Sequence, residues 1–318
     1  MKFMFDSFLT WLLLGEAATL AYIAWVAKLA DLTGLALILF PELAALAYGV
    51  FSRPQGAWAR APLMLVVTPT LTAIVGILIE QHAAYGLPSV LLSVASSFVI
   101  IRVLKSPIAP ALSAGLLPLV LKEGSWWYPA ATLVGTAMLV TCLIPYRRTL
   151  ANRAQPSGEP TITPTQVPMY AWAGFYLVFL MASVGLVELT GLRFILFPPL
   201  VVISYEMFAH SHACPWARKP LILPVVCALS AAGGVIVHQA WGNGPLAAML
   251  AVALALLICR LFRVYVPPAA AVSLLPFVMG PATFMLPVAV GAGTLLLGLS
   301  FLLYQSLYPP TSEEDGTR

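Results

Sequence analysis

Apolar runs of roughly 14 to 22 residues follow one another along almost the whole chain, parted by short clusters of proline, glycine and basic residues. Runs of that length suit membrane helices, whereas a spanning sheet would alternate polar and apolar residues with period two. Composition leads the same way. Of 318 residues, 61% are hydrophobic and 9% charged, against about 25% charged in soluble domains. The expectation is an all-α, polytopic membrane bundle whose surroundings are a lipid bilayer. The formal charge of +4 then reports basic loops on the cytoplasmic side, and no nucleic-acid partner is expected.

Landmarks in the first half return in the second. Leu39-Phe40-Pro41 recurs as Leu196-Phe197-Pro198, Trp58-Ala59-Arg60-Ala61-Pro62 as Trp216-Ala217-Arg218-Lys219-Pro220, and Leu116-Leu117-Pro118 as Leu274-Leu275-Pro276. At this offset of about 158 residues Arg102 falls on Arg260, Lys105 on Arg263, Pro110 on Pro268 and Gly76 on Gly234. Two tandem six-helix repeats are expected, at 1–146 and 169–306, joined by a polar cytoplasmic linker at 147–168 and followed by a polar tail at 307–318. The second and fifth segments of each repeat are short for a span, which gives about 10–12 membrane helices with two short or broken ones per repeat. Such a chain is a pseudo-dimer in itself, and a homo-oligomer of it is possible. The two short fifth helices are expected to meet near its pseudo-twofold axis. The first ten residues lack a basic cluster and a small-residue cleavage site, so the first apolar run reads as a retained helix.

Charge sets the orientation. With six passes per repeat and the amino terminus inside, thirteen Lys and Arg residues lie on one side and only Lys28, Lys122 and Arg193 on the other. The repeats then run parallel, with both termini cytoplasmic, as in a bacterial inner membrane.

The succession Leu-Phe-Pro, Trp-Ala-Arg-x-Pro, Arg263-Val-Tyr-Val-Pro-Pro-Ala269 and Ser125-Trp-Trp-Tyr-Pro129 resembles the HPP family of integral membrane proteins, over about 39–140 and 196–297. That family is named for a His-Pro-Pro motif, and its plant and cyanobacterial members are linked to nitrite transport. Pro267, Pro268 and Ala269 match the motif, with Arg263 and Lys105 as the basic residue before it. The histidine is replaced by Val266 in the second copy and Ile108 in the first, where Pro110 alone remains of the two prolines.

Arg102, Lys105, Arg260 and Arg263 form two pairs spaced three apart, each on one helix face just before a proline break. One reading makes them interfacial anchors whose stems snorkel along the lipid. The other makes them an anion entrance, with short helices beginning after Pro110 and Pro268 presenting free backbone N–H groups to the ligand. Glu42 and Glu206 are the acids expected within the membrane. One reading has them couple a proton to transport; the other places them at the interface beside an arginine.

His82 and His238 have two readings, a sensor or relay of protons and, the one preferred, interfacial residues at a turn. His210, His212 and Cys214 cluster in one loop, but no fourth ligand accompanies them, so neither a metal nor another cofactor is expected. No paired aspartates and no HExxH mark an intramembrane enzyme, and no catalytic residue is proposed. The functional expectation is a transporter or channel for a small solute, a small inorganic anion such as nitrite, through a path lined by the proline-broken helices. The alternative is a structural or regulatory membrane subunit without transport activity.

Overall fold

The computed structural model describes the backbone of residues 2–149 and 168–308, with side chains described from Leu13 onward. The described residues form helices and turns without a strand. In chain order the helices are α1 (Lys2–Thr33), α2 (Glu42–Ser52), α3 (Ala57–Arg60), α4 (Pro62–His82), α5 (Leu87–Val103), α6 (Ala111–Leu121) and α7 (Trp127–Thr149). They continue with α8 (Met169–Thr190), α9 (Pro198–Ala209), α10 (Leu223–Trp241), α11 (Pro245–Leu261), α12 (Pro267–Val278) and α13 (Met285–Leu307). Proline opens α4, α9, α11 and α12 at the first helical position, where its missing N–H costs nothing and its fixed φ favours the helix.

Length and burial divide these helices into two shells. Among the described residues six segments, in α1, α4, α7, α8, α13 and in α10 with the turn before it, are long and apolar enough to cross a bilayer. They turn leucine and valine outward: Leu63, Leu71 and Leu78 on α4, and Leu295, Leu299 and Leu303 on α13. In water these stripes would expose hydrophobic surface; in lipid they face their own kind. The 17-residue α5 and α11 join this outer shell. Inside lie α2, α6, α9 and α12, of 11 or 12 residues each. A helix that short is about 17 Å long, well under the ~30 Å hydrocarbon core. Nearly every residue of the four is buried, so they are packed wholly inside the bundle.

Glycine lets these shells close. A Cβ on Gly76 of α4 would lie 2.2 Å from the Gly115 carbonyl of α6, and one on Gly234 of α10 lies 2.2 Å from the Ser273 carbonyl of α12. Backbones that near exclude any side chain, the small-residue packing that membrane helices use in place of a hydrophobic drive.

Two expectations need correction. The fifth helices, α6 and α12, do not pack extensively on each other; α6 lies against α9, and α12 against α2. Among the four inner helices, each thus packs chiefly on one from the opposite half, and Leu43 and Leu46 of α2 and Phe197 before α9 are fully buried. Arg147 and Arg148 belong to the last turn of α7, not to a linker, and Arg147 Nη1 donates to the Ala59 carbonyl at 2.7 Å. Residues 150–167 of the expected linker and 309–318 of the tail lie outside the described residues.

Candidate functional site

The proline breaks begin with two matching helix ends. In α5 the Ser106 N–H returns to the Ile101 carbonyl at 2.9 Å and the Lys105 N–H to Arg102; in α11 Val264 returns to Cys259 at 3.0 Å and Arg263 to Arg260. This is the Schellman pattern, whose turning residue is left-handed and usually glycine. Here the turning residues are Lys105, at φ 49°, and Arg263, at φ 52°. Both side chains are exposed. A few residues on, Pro110, Pro267 and Pro268 are buried at the starts of α6 and α12. The amino ends of those helices are partly closed by local turns, since Ala111 bonds to Ile108, Leu112 to Ala109, Ser113 to Pro110 and Ala269 to Val266. The N–H groups that sequence reasoning offered to an anion are therefore engaged at these four positions.

The two basic pairs lie in different seams between the halves. One seam runs where α1 and α2 meet α11 and α12. There Arg260 Nη2 and Nε hold the Glu16 carboxylate of α1 at 2.6 and 2.8 Å, and Glu16 is only 8% exposed. Beside them the rings of Tyr48 and Tyr265 are 5.1 Å apart, and the Arg53 guanidinium caps Tyr265 at 4.0 Å. The Lys219 amine reaches the Arg263 carbonyl at 3.5 Å, which adds a further cation to this end of the seam. At the other ends of α1 and α11 a pocket of about 190 Å³ is lined by Asp31, Gly34, Leu39, Asn243 and Phe277, among others. Fifteen residues of α1 separate Glu16 from Asp31, about 22 Å along the helix.

The second seam joins α5 and α6 to α8 and α9. Arg102 is exposed there, its charge felt by Tyr205, and no ion pair to it is found among the described residues. Tyr205 packs edge-on to Phe98 at 4.9 Å and Trp172 at 6.0 Å. Glu206, next along α9, bonds His210 Nδ1 at 3.0 Å. Burial works against the charged imidazolium, but the hydrogen bond and charge of Glu206 outweigh it and hold the His210 pKa above its ordinary value.

Glu42 is brought to neither mouth. It opens α2 in the interior, 2% exposed, and accepts a hydrogen bond from the Ser113 hydroxyl of α6. Sequence reasoning missed Glu16, Tyr48, Tyr265 and Ser113. A lone acid inside the first apolar run was a signal for Glu16, since a charge at that depth needs a partner. Among the described residues no three of His, Cys, Asp and Glu converge as metal ligands would.

The molecule is, by its six long apolar segments and buried short helices, an integral membrane helical bundle. Comparison with protein-family models, with curated proteins and with solved structures found no match for the chain.

Proposed function

We propose that the chain is a transporter or channel for a small inorganic anion, built from two HPP-like repeats, and that the solute moves along the seams between its halves. The observation that carries this reading is the pair of cations at the left-handed turns. A residue with a side chain in that conformation costs about 1 kcal/mol or more relative to glycine, yet Lys105 and Arg263 occupy both turns. Strain retained at matching places, beside buried prolines, argues for a use of the charge. The repeat reading is supported by helix bounds that return at one offset: Leu87–Val103 with Pro245–Leu261, and Trp127–Thr149 with Met285–Leu307. Nitrite is the solute that the HPP resemblance suggests, and the bacterial inner membrane with cytoplasmic termini is the placement that the basic loops favour.

The test replaces Lys105 and Arg263 with glycine, singly and together. Each change relieves backbone strain, so thermal stability in detergent rises. Uptake of nitrite, nitrate, formate and chloride into proteoliposomes falls several-fold in the double variant. Unchanged uptake reduces the cations to interfacial anchors, and no anion uptake by the parent protein removes the transport reading.

A further inference from the structure

Among the described residues Glu16 and Glu42 are the buried carboxylates and Glu206 is half-buried on α9; two of these three have basic partners. Glu16 holds Arg260, and Glu206 holds His210. Glu42 differs. Its Oε1 accepts from Ser113, while its Oε2 is buried without a hydrogen-bond partner. Its own backbone N–H makes a weaker contribution, and among the described residues no arginine, lysine or histidine charge bears on it. The neighbouring N–H groups are taken, Leu43 by the Phe40 carbonyl and Ala44 by that of Pro41, both at 3.1 Å. Of the helices α1, α7 and α12 packed on α2, α7 brings the titratable group that faces Glu42, Tyr128. The hydroxyl of Tyr128 is already given to the Ala114 carbonyl at 2.9 Å, and its ring meets Phe40 edge-on at 6.2 Å.

A bare carboxylate in such surroundings leaves a full charge with one side-chain hydrogen bond and an empty oxygen, an arrangement that costs several kcal/mol. A hydrated metal cation would not resolve it, because hard cations take six or more oxygen ligands. Here Glu42 and Ser113 supply side-chain oxygens, while the Pro110 and Ala114 carbonyls are already hydrogen-bonded. A proton needs a single oxygen. We infer that Glu42 is a proton-binding site, with its proton on Oε2 and the Ser113 hydroxyl fixing the other oxygen. The proton leaves when water or a solute enters the interior and solvates the charge. On the transport reading, on which this last step rests, the proton is the coupling ion, carried by Glu42 of α2 in a chain that has Val266 and Ile108 in place of the motif's histidine.

Infrared spectra of the purified protein in lipid at neutral pH test the site without any solute. The carbonyl stretch of a protonated carboxyl lies apart from the bands of a carboxylate and shifts in heavy water. The wild type should show it, Glu42→Gln should lose it, and Ser113→Ala should raise its frequency by removing the hydrogen bond. Carboxylate bands in place of it overturn the proposal, as does a band that Ser113→Ala leaves unmoved; the latter variant decides if Glu42→Gln does not fold. Proteoliposomes carrying a pH dye then test coupling. Solute uptake should move protons in the wild type and not in Glu42→Gln. Uptake without proton movement in the wild type overturns coupling and leaves the infrared result standing. Absence of any uptake defeats the transport reading alone.

Discussion

Glu16 and Arg260 are 244 positions apart and meet through one hydrogen bond and a second charged contact at 2.6 Å, so each is the other's main source of solvation in a half-dry seam. Removing one charge strands its partner, while removing both leaves neither. Glu16→Gln and Arg260→Gln are each expected to lower stability by about 1–3 kcal/mol, and the double variant by less than their sum, in a double-mutant cycle of thermal unfolding in detergent. Losses that simply add would mean the pair is not coupled. Glycine contacts give a second residue-scale expectation. Gly76→Ala and Gly234→Ala push a methyl onto a backbone carbonyl and should cost about 1–3 kcal/mol each. Gly291→Ala meets only the Ala228 methyl at 3.5 Å and should be close to neutral in the same assay.

Helix α9 ends on a titration. Its cap, His210, is paired with Glu206 of the preceding turn, near the negative end of the helix, where a charged ring is favoured. Because the folded pKa of His210 lies above its unfolded one, the pair stabilises fully below about pH 6.5. That contribution is lost as pH rises through the folded value. The wild type should exceed His210→Gln in melting temperature at mildly acidic pH by the equivalent of at most about 1 kcal/mol, the gap closing towards alkaline pH. A gap that widened instead would show the ring to be buried neutral. At this scale much of the fold was legible in the sequence. Prolines at 62 and 267 mark helix starts, and the brevity of α6 and α12 follows from their apolar runs, whereas α2 and α9 are shorter than theirs because a tight turn at 36–39 and 193–196 takes the first part of each run. The hydrogen bonding at the starts of α6 and α12 was not legible, since a proline break shows where a helix begins and not where the carbonyls before it turn. Nor was the partner of Glu16, because periodicity within a helix carries no information about a contact made by another helix across the bundle.

Across the whole molecule the halves are interlocked: α2 rests on α12, α6 on α9, α1 on α11 and α5 on α8. Cysteines placed at Tyr48 and Tyr265, or at Phe98 and Tyr205, in a chain freed of Cys142, Cys214, Cys227 and Cys259, should be joined by a short bifunctional reagent. With a protease site inserted within residues 150–167, the fragments should stay joined after cleavage. Cysteines at Ala111 and Ala269 should link far less, and the reverse pattern would restore a pairing of α6 with α12. The same interlocking imposes a timetable on biosynthesis. Helix α2 leaves the ribosome about 225 residues ahead of α12, an interval of roughly 10–45 s at ordinary elongation rates. Through that time a helix too short to span must wait in the bilayer or the insertion machinery with the surface meant for α12 uncovered. A ribosome stalled after α11 therefore holds a nascent chain that membrane quality control can recognise, and one released after α13 does not.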